Sequence, residues 1–295
     1  VTFPLAACPL CACDGAARAF ERHGYQIYRC PSCRLDFLHP QPSDEALAQI
    51  YTQDYPFGPI TQAQRIQVAE MKKATARLYL QALLAYHGRS QGKLLEIGCG
   101  RGDFLAVAQG AGFEVSGLDR VRASCEEANR ILGQGRVACA GLEDASLERA
   151  SLDVCVMFDV IEHVREPLAT LAHVAGLLKE GGTLFVVTPS LDSFSARLLG
   201  RHWMEYKPEH LFYFNGSNMC QALAKSGFGE LSLGKNTKVL TLDYLQQHFH
   251  HFPVPILSPL VALAHAALPH ALVSHQLRLT SSGMNVFARR LQSQR

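Results

Sequence analysis

An α/β architecture, a mostly parallel sheet with helices on both faces, is what this sequence predicts, and three observations predict it. Short apolar runs, KLLEIG, EVSGLD, RVACAG, LDVCVMFD and GTLFVVTP, follow one another from residue 93, with helical candidates after each of the first four. Runs with so little polar alternation suit strands buried on both faces, as in parallel sheets. Three glycines, Gly98, Gly100 and Gly102, follow the first run directly and precede a helical stretch. Near the C-terminus GELSLGK and GMNVFARR read as two more strands, separated by Leu240 to Leu279, which is too long for a tight hairpin turn. That segment is read as a helical insertion or lid.

The composition agrees. Of 295 residues, 48% are hydrophobic and 18% charged, enough for a sizeable core and too apolar for a disordered or fibrous chain. Lys and Arg number 28 against 26 Asp and Glu, a net charge of +2 without a basic stripe, which argues against a nucleic-acid partner. Ten cysteines in a chain this long, with no leader-like segment, point to a reducing cytoplasm rather than a disulfide scaffold. The most apolar stretch, Phe252 to Val273, is broken by Pro253, Pro255, Pro259 and Pro269, so no transmembrane segment is expected.

Three regions are expected: 1–42 as a small zinc-binding module, 43–90 as helical connecting segments on the acceptor side, and 91–295 as the main domain, with 240–279 as the insertion. The first forty residues read as irregular, carrying four cysteines in two close pairs and ending in a Pro40, Pro42 segment. Ser43 is a candidate N-cap for SDEALAQIY, and Gln62 to Tyr86, free of Gly and Pro, predicts a long helix.

The glycine turn lets bare backbone N–H groups approach a ligand. A dinucleotide fingerprint needs glycine at 103, where the chain has Asp103, which counts against NAD. Asp119 ends the second run, 23 residues after Glu96, where a carboxylate can accept hydrogen bonds from both hydroxyls of a ribose. Asp159 ends the fourth run, and Glu162 and His163 follow in FDVIEHV; a second histidine, His210, lies in WMEYKPEHLFYFN among Trp203, Tyr206, Phe212 and Tyr213. Histidine near a strand end suits proton removal from an acceptor.

From LLEIGCGRGDF through GLD and GLEDA to FDVIEHV, over about Gln91 to Arg290, the sequence resembles the class I S-adenosylmethionine-dependent methyltransferases. The resemblance implies a Rossmann-like seven-stranded methyltransferase sheet of order 3-2-1-4-5-7-6 with the last strand antiparallel. It implies that Gly98, Gly100 and Gly102, with Glu96 and Cys99, line the methionine part of S-adenosylmethionine, that Asp119, beside Arg120, holds the ribose, and that Leu142 and Glu143 flank the adenine, with Phe158 and Asp159 completing the cofactor site. DVIEHV with a distant histidine also resembles a metal-binding variant, seen in ubiquinone-pathway O-methyltransferases and small-RNA terminal methyltransferases, which makes Glu162, His163 and His210 candidate ligands of a divalent ion (Mg, Mn, Fe or Zn). The alternatives are a general-base histidine and a structural role for the motif. Tyr51, Tyr55, Trp203, Tyr206 and Tyr213 are the candidate acceptor-side residues.

Cys8, Cys11, Cys30 and Cys33 form two Cys-x-x-Cys pairs 18 residues apart, the spacing of a tetrahedral structural zinc, with Cys13 spare. The string YRCPSCRLDFLHPQPSDEALAQIYTQDY resembles the zinc-ribbon front end of bacterial natural-product, deoxysugar and surface-polysaccharide methyltransferases. The expected function is therefore methyl transfer to a small-molecule acceptor, at oxygen first, in a biosynthetic pathway. A C- or N-methyltransferase for a sugar or peptide, an RNA-directed methyltransferase, and a cofactor-binding protein without catalysis are the alternatives. A homodimer and a peripheral membrane surface are partner candidates through the apolar helix Leu260 to Leu268. The histidines of QQHFHHF read as solvated or pocket-lining.

Overall fold

The computed structural model describes residues 7–52, 62–251, 253–254 and 257–292. The chain opens with β1 (Ala17–Arg22), β2 (Tyr25–Arg29) and β3 (Asp36–Leu38), then α1 (Asp44–Thr52) and α2 (Gln62–His87). The alternating unit is β4 (Gly92–Ile97), α3 (Asp103–Gly110), β5 (Phe113–Asp119), α4 (Arg122–Leu132), β6 (Val137–Cys139), β7 (Leu152–Phe158), α5 (Pro167–Leu177) and β8 (Leu178–Pro189). After it come α6 (Phe194–Leu199), β9 (Phe212–Tyr213), α7 (Gly216–Lys225), β10 (Phe228–Leu240), α8 (Leu242–His251), α9 (Leu257–Ala267), α10 (His270–Val273) and β11 (Leu277–Arg290).

Seven strands form the main sheet in the order β10-β11-β8-β7-β4-β5-β6, parallel from β8 to β6, with β11 antiparallel to both neighbours. This is the expected order. Its apolar runs are uninterrupted because both faces are covered. Leu94, Val154, Val156 and Phe185 pack into one core, their neighbours Leu95, Cys155, Met157 and Leu184 into another, and all eight are fully buried. Each large side chain so buried contributes roughly 1.5–3 kcal/mol.

Two expectations are corrected. No helix lies between β6 and β7, where 140–151 carry only turns. Ala150 and Ser151 donate their N–H groups to the carbonyls of Gly176 and Leu177, and these tertiary bonds hold the segment extended against its helix-forming composition. Nor are the first forty residues irregular. β1 turns through His23 and Gly24, both at positive φ, into β2, and the small sheet runs β1-β2-β3-β9. β3 has three residues and holds as a strand because β9, contributed from nearly 180 residues further on, pairs with it through Asp36↔Tyr213 and Phe37↔Phe212.

Helix α7 fastens this small sheet to the main domain. Asn215 and Asn218 cap the helix reciprocally, and their side-chain amides also donate to the carbonyls of Arg34 and Cys33; at the other end Lys225 Nζ donates to the Leu10 carbonyl at 2.8 Å. Arg165, after β7, holds Gln41, Pro42 and Asp44 through a fan of hydrogen bonds.

β8 pairs with β11 only over Gly283–Arg289, whereas β10 and β11 pair out to Leu240↔Leu277. The outer arms therefore rise past the carboxyl end of β8 and carry α8, α9 and α10 above that edge. Asp243 of α8 ties the insertion to α2 by accepting from Gln67, and pairs with His265 of α9 at 2.8 Å. Among the described residues no helix is long and apolar enough to cross a membrane.

Candidate active site

The first part of the site is the turn after β4. Gly98, Gly100 and Gly102 all have positive φ, at 72°, 52° and 78°, which side-chain-bearing residues rarely adopt. Their surroundings differ. A Cβ on Gly98 would lie 2.5 Å from Val160 Cγ2, and one on Gly102 would press on Leu132 and Ala128, while Gly100 has no neighbour within 4 Å there. The outer two glycines permit packing, and the middle one leaves an open cradle. Asp119, at the end of β5, braces it: Oδ2 accepts from Gly100 N and Oδ1 from Val121 N, both at 2.8 Å. Each oxygen keeps a second lone pair able to accept a further hydrogen bond. Beneath the turn Glu96 is buried with Oε2 unpartnered, and burial pushes its carboxyl far above the ordinary range. Cys99 is buried too, and its thiol is likewise driven up by burial.

Beyond Asp119, Arg120 and Glu143 form an exposed ion pair, beside which Leu142 is buried. Phe158 ends β7 against Tyr79, Phe104 and Phe185. Asp159 follows at φ 53°, and its Oδ2 accepts from Lys238 Nζ at 2.7 Å.

The second part lies on the same carboxyl edge. Glu162 is 1% exposed; Oε2 accepts from Thr188 Oγ1 at 2.9 Å and Oε1 has no partner. Burial, with Asp159 nearby, raises its carboxyl to about 8. Its backbone carbonyl accepts from Leu211 N and Phe212 N, which brings the second histidine segment against the first. The His163 and His210 rings meet edge to face, centroids 4.7 Å apart. Because the partner of His210 Nδ1 is the Glu205 carbonyl at 2.9 Å, that nitrogen donates, and Nε2 of the neutral ring keeps its lone pair. Burial holds His210 well below the usual imidazole range, and His163 below it. One ligand atom from each of Glu162, His163 and His210 lies within 4.8 Å of the others.

Several acceptor-side expectations are corrected. Trp203, Tyr206 and Tyr213 are 0, 4 and 1% exposed, and their polar tips are taken by Ser195 Oγ, Asp36 Oδ2 and the Lys207 carbonyl. They form the seam between the small sheet and the main domain, where burial of three large rings stabilises the contact, although Tyr206 also borders the cleft beside α6. Tyr55 lies outside the described residues, and Tyr51 is described only as helical backbone in α1.

The structure adds residues that no motif marked. Tyr79 of α2 and Asn236 of β10 stand beside the Asp159–Lys238 pair; Asn236 is 1% exposed with both amide atoms unpartnered, as is the Tyr79 hydroxyl. Glu205 is half-buried, and against the effect of that burial Lys207, His210, Ser282 and Lys238 together draw its carboxyl down to about 2. A polar residue in an exposed-looking strand tip, such as Asn236 in GKNTK, was the only sequence signal.

The four cysteine thiols of Cys8, Cys11, Cys30 and Cys33 also converge, all within 4.8 Å of one another. Their two loops are alike. In each, the N–H four residues after the first cysteine returns to that cysteine's carbonyl, from Ala12 to Cys8 and from Arg34 to Cys30, with Ala12 and Arg34 both at φ 58°. Cys13 is not part of this set, and its thiol donates to the Asp14 carbonyl.

Comparison with known proteins agrees with this geometry. A family model described as a methyltransferase domain matches residues 67–233, more than half the chain. The chain belongs to the class I S-adenosylmethionine-dependent methyltransferase family. It is 29% identical over 135 residues to a probable S-adenosylmethionine-dependent methyltransferase of Mycolicibacterium smegmatis, covering 46% of this chain and 51% of that protein. It is 25% identical over 135 residues to a ubiquinone biosynthesis O-methyltransferase of Methylococcus capsulatus, covering 43% and 55%. The chain thus spans about half the length of these curated relatives. A putative methyltransferase of Bacillus halodurans shares the fold, with TM-score 0.51 at 15% identity, over 72% of this chain and 99% of that one.

Proposed function

We propose that this methyltransferase-family protein methylates an oxygen of a small-molecule acceptor held at the carboxyl edge of β7 and β8. The observation that carries the reading is the placement of the Glu162, His163 and His210 donor set on the same sheet edge as the Gly100 cradle and Asp119. S-adenosylmethionine, when bound, supplies a methyl group on a sulfonium. The chain's own task is then to align acceptor and donor and to remove the acceptor's proton.

Asp119 fits the ribose of that group and the glycine turn its methionine part, since Gly100 is open where its neighbours are packed. For the proton, a buried imidazole held well below its usual range is a weak base, so His210 suits metal ligation better than proton abstraction. The unpartnered Glu162 Oε1 and the Nε2 lone pair of His210 complete a donor set of the kind divalent ions take. A divalent cation there supplies charge that favours a deprotonated acceptor. Tyr79, Asn236 and Lys238 offer hydrogen bonds to the acceptor under the insertion. The four convergent thiols fit a structural zinc, which holds together a segment too short for its own core.

The test pairs two readouts. Changing His210→Ala is expected to reduce turnover by about 100-fold or more while leaving affinity for S-adenosylhomocysteine within about 3-fold. Elemental analysis should find one zinc per chain, and a second ion, added back with the demethylated cofactor, that Glu162→Gln abolishes. Full turnover in the His210→Ala protein overturns the assignment of this edge. Undiminished turnover after exhaustive removal of the second ion leaves the histidine-as-base reading and excludes the metal.

A further inference from the structure

We propose that the cleft between the small sheet and α6 is a binding site for a phosphoryl or diphosphoryl group, separate from the methyl-transfer edge. A cavity of about 610 Å³ opens there, lined by Arg29, Arg34, Arg197 and Arg201 together with Asn215 and Ser217 at the start of α7. It adjoins a second cavity of about 540 Å³ that shares Phe20 and Arg201 and adds Arg18, Arg22 and His202. Six arginines thus line these two neighbouring cavities, together with Glu21 and Asp192.

The arginines divide by their commitments. Arg29 is held by Asp36 in a two-bonded fork, at 2.6 and 2.7 Å, Arg18 pairs with Glu21, and Arg197 leans on Asp192 at 3.8 Å, a long separation. Arg22, Arg34 and Arg201 have no carboxylate within ion-pair reach among the described residues, and Arg201 Nε donates to its neighbour His202 instead. Arg22 is half-buried and lines the adjoining cavity, and its Nε, inside the wall, has no hydrogen-bond partner.

Planar guanidinium forks match the paired oxygens of a phosphoryl group, and the three arginines without a carboxylate partner, Arg22, Arg34 and Arg201, gain most from a multiply charged anion. Carboxylate ligands carry one charge each and neutralise the cluster less well. The recess also has backing: Tyr206 lines it and donates to Asp36, so Arg29 is fixed through a fully buried carboxylate. Beside it α6 exposes Phe194 and Leu198, 80% and 68% accessible, so the phosphoryl group can arrive either on a soluble molecule or as a lipid headgroup. The shared chemistry is the anion.

The zinc-loaded full chain is titrated with inorganic diphosphate by calorimetry at low salt, with zinc content measured before and after. The expected result is saturable binding that weakens at least 10-fold in the Arg34→Ala/Arg201→Ala double variant, both side chains being exposed and outside the core. Partial recovery in Arg34→Lys/Arg201→Lys shows that charge at these places is what binds. Co-sedimentation with phosphatidylglycerol vesicles, absent with phosphatidylcholine and lost in the double variant, identifies a headgroup as the source; diphosphate binding without vesicle binding identifies a soluble phosphate ester. No diphosphate binding at low salt, or equal binding by the folded double variant, overturns the proposal.

Discussion

At the residue scale the site rests on backbone conformations that few side chains tolerate. Gly98 is the sharpest case, with φ 72° and Val160 Cγ2 2.5 Å from where a Cβ would stand. Gly98→Ala is expected to displace the loop carrying Asp159 and Glu162, weakening S-adenosylhomocysteine binding by about 10-fold or more, because strained left-handed backbone costs on the order of 1–2 kcal/mol before any clash. Calorimetry on the purified variant checks this. Asp119→Ala removes the acceptor of both the Gly100 and Val121 N–H groups. Hydrogen bonds to charged groups contribute about 1.5–3 kcal/mol, so its affinity is expected to fall ~10- to 100-fold. Both residues were readable in the sequence, because a glycine after a strand and an acid at the next strand's end keep their meaning whatever surrounds them. Asn236, Tyr79 and Lys238 were not, since their importance comes from where β10 and α2 pass Asp159.

Among the elements, α7 shows how one helix can serve two parts of the chain. Asn218→Ala deletes half of the capping box and the bond to the Cys33 carbonyl. A lost cap costs about 0.5–2 kcal/mol, so the melting temperature is expected to drop by several degrees, with zinc released at lower chelator concentration than from the unaltered protein. The length of β10 and β11 makes the same point. Their inner halves were legible as strands, but the outer arms, 236–240 against 277–281, buried or half-buried on β10 and largely exposed on β11, gain their strand character from each other. The small three-residue β3 likewise depends on a partner no local window contains.

Over the whole molecule, the base of the sheet is knit by charge. Asp153 at the start of β7 accepts from Arg89, Lys179 and Lys93 N. Beside it His87 is buried, bonded through Nδ1 to Thr183, and faces Arg289 and Arg89 as well as Asp153. Burial first, and then the two arginines, depress its imidazole to about 4. Its partner Asp153 is itself held below the ordinary range, despite burial, by Lys179 and the Lys93 N–H, and stays ionised across most of the window. Above its unfolded value near 6.5 the histidine is neutral in both states and stability is complete. As pH falls from about 6.5 towards 4 the unfolded chain takes up a proton that the folded chain refuses, and stability falls by at most about 1.4 kcal/mol per pH unit. A His87→Gln variant is expected to melt with a shallower pH dependence over that window; an identical slope would show that His87 contributes nothing to it.

By itself the sequence determined the alternating strands of the main sheet, whose order came from the resemblance to the methyltransferase family, the glycine cradle with Asp119, the two cysteine pairs and the insertion before the last strand. These are carried by hydrophobic period and by residues whose covalent chemistry restricts their use. Only the tertiary structure decided that the aromatic rings of Trp203, Tyr206 and Tyr213 are buried seam, that β9 completes the N-terminal sheet, and that arginines distant in sequence gather in one cleft. Burial and charge clustering are sums over segments far apart in the chain, so no local pattern contains them.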